Sequence, residues 1–151
     1  MRKSLLLAVT VVALAGCATT ASDPSFVHQP VPADRVIALP AVPGTIGVAR
    51  VTVMRDAQFQ GSGMTTTLTV DGIEAAHIQN GERLAFDLLP GEHLLGLRFL
   101  GNDPVWGALS LGLARPKRFI EAATVFEAGK QYVFRIVDNA AWEWELKRSS
   151  Y

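Results

Sequence analysis

From residue 46 onward, apolar and polar side chains alternate in short runs broken by turn dipeptides. A period of two sends successive side chains to opposite faces of a strand, so this pattern predicts β-structure. Ala49, Val51, Val53 and Arg55 alternate with Val48, Arg50, Thr52 and Met54, which predicts a first strand with β-branched residues on one face. Residues 65–70 form a second run, followed by Asp71-Gly72 and a return run at 73–78. Asp-Gly is preferred in two-residue hairpins because both central positions need positive φ. Asn80-Gly81 precedes Leu84, Phe86 and Leu88, which alternate with Arg83, Ala85 and Asp87. Pro90-Gly91 turns into residues 93–100, and Ala128-Gly129 separates 119–126 from 132–137. The last run sets Trp142, Trp144 and Leu146 against Glu143, Glu145 and Lys147. Gly72 and Gly91 are expected at positive φ or in tight hairpins. No useful window carries a capped 3.6-residue stripe. The reading is one all-β domain over residues 46–151, an antiparallel β-sandwich or small barrel of about eight strands.

The first residues follow another logic. Met1-Arg2-Lys3 is a positive start, an apolar run follows from Leu5 to Ala15, and Leu14-Ala15-Gly16-Cys17 closes it. That arrangement is a secretory signal. The apolar run, about 11 residues, is far short of the ~20 that span a bilayer as a helix. Leu14-Ala15-Gly16-Cys17 resembles the bacterial lipobox, with the chain's single cysteine at its end. The resemblance implies cleavage of residues 1–16, diacylglycerol on the Cys17 thiol and a third acyl chain, palmitate or similar, on the new amino terminus. One chain binds a membrane reversibly, whereas two or more anchor stably. Ala18, rather than aspartate, follows the cysteine. By resemblance to envelope sorting rules, that favours the outer membrane, facing the periplasm.

Residues 17–45 hold five of the eight prolines: Pro24, Pro30, Pro32, Pro40 and Pro43. Such a segment favours extended polyproline geometry and would reach roughly 80 Å as a free tether. The alternative is partial docking, with Val36, Ile37 and Leu39 pairing as an edge strand. Both readings stay open on the sequence alone.

The ordered set Arg55, Gly61-Ser62-Gly63, Val70-Asp71-Gly72, Asn80-Gly81-Glu82, Pro90-Gly91-Glu92-His93, Ala128-Gly129-Lys130-Gln131-Tyr132 and Arg135 resembles small bacterial lipoproteins with an uncharacterised PEGA-like β-sandwich domain. The resemblance spans roughly residues 48–137 and rests on turn chemistry. It implies a sandwich and supplies no catalytic residues. The chain departs from the pattern by an insertion at residues 101–117.

The charge balance of 14 basic and 14 acidic residues argues against a nucleic-acid partner. One cysteine excludes an intramolecular disulfide and a cysteine-based zinc cluster. His28, His77 and His93 are far apart and lack metal-ligand spacing, so no metal or cofactor is expected. Around Ser62 the motif G-x-S-x-G fails at Gln60, and around Ser110 the leading glycine, Gly107, comes one position too early. Glu143 and Glu145 flank Trp144 about 6–7 Å apart on one strand face. Paired carboxylates beside tryptophans fit a glycosidase in composition only. The rings lie on the opposite face, so a solvated strand face balanced by Lys147 is the reading adopted.

Residues 105–114 form an uncharged run bounded by Pro104 and by Arg115, Lys117 and Arg118. Either this is a buried strand, or Trp106, Leu109 and Leu111 make an apolar lip on lipid or a partner, with Arg115, Lys117 and Arg118 toward anionic head groups. The function expected is that of a non-enzymatic, lipid-anchored envelope protein with an interaction or structural module. Its partners are the membrane, through Cys17, and another envelope protein. The alternative is a binder or carrier of a small apolar or carbohydrate ligand, using Trp106, Trp142 and Trp144. The C-terminal tryptophans are expected to cover Phe134 and Ile136 on the neighbouring strand.

Overall fold

Two sheets account for the alternation. The structure is a computed structural model and describes residues 26–44, 47–57, 63–100, 119–138 and 144–149. Its strands are β1 (Gln29–Pro30), β2 (Ala49–Arg55), β3 (Thr65–Val70), β4 (Ile73–Ile78), β5 (Glu82–Leu88), β6 (Gly91–Leu100), β7 (Phe119–Phe126), β8 (Gln131–Asp138) and β9 (Trp144–Ser149). A five-stranded sheet runs β1-β5-β2-β8-β9 and a four-stranded sheet runs β4-β3-β6-β7. Their facing sides meet in a single core, so the chain is an all-β sandwich. Ala49, Val51, Val53, Leu84, Phe86, Leu88, Phe134 and Ile136 meet Leu68, Val70, Ile78, Leu95, Leu97, Phe99 and Phe126. Each Val, Leu, Ile or Phe among them contributes about 1.5–3 kcal/mol relative to leaving it in water, and this holds the sheets together.

The turn residues behave as their φ preferences require. Asp71 and Gly72 have φ of 52° and 80°, the two positive values of a type I′ turn, and β3 returns antiparallel as β4. Gly91 has φ of 142°. Three of the dipeptides do not make hairpins, however. The turns at Asn80-Gly81, Pro90-Gly91 and Ala128-Gly129 each pass the chain from one sheet to the other. A turn dipeptide reports local backbone geometry and carries no information about which neighbour the next strand will meet.

Five of the seven strand pairings are antiparallel, and β1–β5 and β2–β8 are parallel. The β2–β8 pair is central, with Val51 opposite Tyr132 and Val53 opposite Phe134. It arises because β8 re-enters the five-stranded sheet from its partner sheet, an excursion that no hairpin could make.

Residues 29–38 dock on the sandwich: of the edge pairing expected at Val36, Ile37 and Leu39, a single bridge at Val36 and the Ile37 amide bond form, and the paired strand is Gln29–Pro30. They run as a strap across the flank where β5 and β4 are the outer strands of their sheets. Gln29 and Pro30 pair parallel to Glu82 and Arg83 of β5, and Val31 is buried in the core. After a 3-10 turn at Ala33–Arg35, Val36 bridges to Ala76 of β4. A bulge helps: Leu68 pairs with Ala76 and Thr69 with Glu74, leaving Ala75 as the extra residue. The Ala75 carbonyl accepts the amides of Ile37 and Ala38 at 2.8 and 3.2 Å. Arg35 clamps the strap by a two-point ion pair to Glu82, with Nη1 donating to Oε2 at 2.8 Å.

Candidate functional site

Polar chemistry gathers where β2 leaves its sheet. Alternation puts Arg55 in line with Ala49, Val51 and Val53, so a cation enters the core's end and Asp56 turns to the outer face. Arg55 is 1% exposed. Its Nη1 donates to the carbonyls of Met64 and Ile78 at 2.6 and 3.3 Å, and its guanidinium lies 5.1 Å from the Trp144 ring centroid. Trp144 in turn lies 5.0 Å from Phe99 of the opposite sheet. The cation is thus held by carbonyl dipoles and an aromatic face, both of which favour it in a poorly solvated place.

On the outer face, Asp56 Oδ1 accepts two hydrogen bonds from Arg135 of β8, from Nε at 3.1 Å and Nη2 at 2.6 Å. His28 Nε2, from the strap, stands 3.7 Å from the same oxygen, beyond hydrogen-bond reach. Among the described residues neither Asp56 Oδ2 nor His28 Nε2 has a hydrogen-bond partner. The imidazole meets the Phe26 ring edge-on at 5.0 Å. Burial, helped by the charges of Arg135 and Arg83, outweighs Asp56 and holds the His28 pKa below its ordinary value. The imidazole is therefore neutral at neutral pH. Among the described residues its free nitrogen is bonded to no hydroxyl or thiol, so no nucleophile–base pair is formed there. No three His, Cys, Asp or Glu side chains converge as metal ligands among the described residues.

The other histidines serve elsewhere. His77 Nδ1 is 3.0 Å from Thr67 Oγ1 on the outer face of the four-stranded sheet. His93 joins two turns at the far end: Nδ1 is 2.7 Å from Asp71 Oδ2 and Nε2 is 3.0 Å from the Leu89 carbonyl. Asp71 Oδ1 also accepts the Leu94 amide at 2.9 Å. Burial opposes ionisation of Asp71, but the bonds from His93 and Leu94 prevail and its pKa falls below the ordinary value.

Of the residues singled out in the sequence, Cys17, Trp106, Leu109, Leu111, Arg115, Lys117, Arg118, Trp142 and Glu143 lie outside the described residues. Trp144 is 7% exposed, and its ring stacks across the sandwich on Phe99 rather than along its own sheet. Leu146 is the residue opposite Ile136, and Arg148 the one opposite Phe134. The difference arises because Trp144 pairs with Asp138 at the strand's end, where the nearest apolar surface belongs to the other sheet. Glu145 pairs with Lys147 at 3.0 Å on an exposed strand face. Sequence reasoning missed the Arg55–Trp144 stack and the Asp56–Arg135–His28 cluster. One signal was available: a cation continuing an inward-facing alternation.

No protein-family model matches the chain, and no curated protein matches it in sequence.

Proposed function

We propose that the chain is a lipid-anchored protein of the bacterial cell envelope, attached through acyl chains on Cys17 to the outer membrane and facing the periplasm. Its PEGA-like sandwich acts without catalysis, as an interaction or structural module. The observation that carries the second part is the use of Trp144. A carbohydrate or apolar ligand needs an aromatic face it can reach, whereas this ring is nearly buried, shut between Phe99 and Arg55. The docked strap supports close attachment. Only eight residues lie between Cys17 and Phe26, at most about 30 Å of extended chain, so the sandwich rides near its leaflet.

Replacing the acceptor tests the anchor. Wild-type protein should incorporate labelled palmitate and float with membranes, and Cys17→Ser should do neither. A Cys17→Ser protein that still carried label in the membrane fraction would end the lipid-anchor reading.

A further inference from the structure

We propose that two copies of this chain join edge to edge through β7, making one continuous eight-stranded sheet from their two four-stranded sheets. The proposal deepens the interaction-module reading, on which it rests, by naming the partner as a second copy.

The edges of the sandwich are treated unequally. The outer edge of β5 is paired by β1, and the outer edge of β4 is met by the strap at the Ala75 bulge. On the opposite flank β9 is an outer strand carrying Glu145, Lys147 and Arg148 in six residues. Charges of that density discourage strand addition. β7 has neither protection. Its sequence is Phe-Ile-Glu-Ala-Ala-Thr-Val-Phe, eight residues with one charge and no proline. It pairs with β6 from Arg98↔Phe119 to Gly91↔Phe126 without a register shift, so no bulge turns its edge away. Among the described residues no strand pairs with its outer side. Phe119 and Val125 are 43% and 62% exposed on its outward face. A long, straight, nearly uncharged edge is a template for another strand.

The side-chain order is self-complementary, and this selects a second copy as the occupant. Two antiparallel copies related by a two-fold axis through Ala122 place Phe119 opposite Val125 twice, on one face. Glu121 falls opposite Ala123 of the other copy, so the one charge never meets itself. Ile120 meets Thr124, and Ala122 meets Ala122. Shifting the axis to residue 121 would set Glu121 against Glu121, a like-charge opposition that destabilises a strand pair. Shifting it to residue 123 would set Val125 against Glu121 and leave the large exposed apolar side chains unmatched. With the axis along the bilayer normal, both Cys17 anchors enter the same leaflet.

The test uses the full lipidated chain in phosphatidylethanolamine–phosphatidylglycerol vesicles. Opposed residues on antiparallel strands have Cα atoms about 4.5–5.5 Å apart, within disulfide range. Ala122→Cys should therefore oxidise to a covalent dimer much faster than Ser149→Cys on β9. Ala123→Glu, a change at an exposed position, should weaken dimerisation about tenfold by setting two carboxylate pairs face to face, as read by sedimentation in mild detergent. Adding Glu121→Lys to Ala123→Glu should restore the dimer, which a merely misfolded variant would not do. Equal oxidation rates at residues 122 and 149, or a monomeric wild-type chain, would overturn the proposal. Crosslinking of residue 122 to a different protein would also overturn it, leaving the interaction-module reading intact. Disulfide formation by the parent chain would expose a free Cys17 thiol and sink the anchor instead.

Discussion

The flank bounded by β4 and β5 and the flank bounded by β7 and β9 are two answers to one problem, the open side of a two-sheet sandwich. On the first, a separate piece of chain is laid across the gap. It donates main-chain hydrogen bonds to both sheets, buries Val31 and locks with the Arg35–Glu82 ion pair. On the second, closure among the described residues is by side chains: Trp144 reaches from β9 to Phe99 under the cover of Arg55. Backbone closure satisfies the edges it covers, whereas a plugging side chain fills volume and leaves the strand edge as it was. Among the described residues the β7 edge is left unpaired for this reason.

The comparison can be broken most sharply at the plug. Trp144→Ala removes the ring and its contacts with Phe99 and Arg55 at a nearly buried position, so denaturant melts should show a loss of about 3–5 kcal/mol. A loss below about 1 kcal/mol would mean that this flank is held by something other than the ring.

The strap should yield in a smaller and more local way. Arg35→Ala leaves the half-buried Glu82 carboxylate with the Gln79 amide but without its cation, at a cost of about 1–3 kcal/mol. Hydrogen exchange at Ile37 and Ala38 should accelerate before the core amides respond. Equal acceleration in both would show that strap and core open as one unit.

Acid should reproduce that loosening reversibly. Burial opposes ionisation of Glu82, but the hydrogen bonds from Arg35 and Gln79 prevail, and its pKa lies below the ordinary 4.5. A carboxyl with a depressed folded pKa stabilises the fold above the unfolded value, and that stability is lost as pH falls through the folded value. Strap protection should therefore be flat at neutral pH and fall below about pH 4.5, with a smaller fall in Arg35→Ala. Asp71 shifts in the same direction at the far end of the molecule, so the strap amides rather than the global melt are the measurement that assigns the effect to Glu82.

The smallest effect belongs to the exposed strand. Lys147→Ala breaks an ion pair with Glu145 that is open to solvent, and the melt should move by less than about 0.5 kcal/mol. A larger shift would show that β9 is sealed by its charges as well as by Trp144.

Much of the architecture was legible residue by residue. The 65–70, 73–78 and 119–126 runs fall on β3, β4 and β7 with the same limits, because period-two alternation bounded by turn residues is a property of neighbouring positions. The candidate site was less legible. Arg55 looked like one more alternating residue, and His28 looked like part of a tether. Their partners, Trp144 for the first and Asp56 and Arg135 for the second, lie between 28 and 107 positions away along the chain.

By itself, then, the sequence determined the strands from β2 onward, the positive-φ turn at Asp71-Gly72 and the lipobox-like run that ends at Cys17. All three depend on residues within a few positions of each other. Tertiary structure alone decided that three turns cross between sheets, that β2 lies parallel to β8, and that a proline-rich segment seals one flank. It also left β7 at an outer edge. Those outcomes depend on which apolar faces are buried together, and burial is a property of the assembled sheets rather than of any stretch of chain.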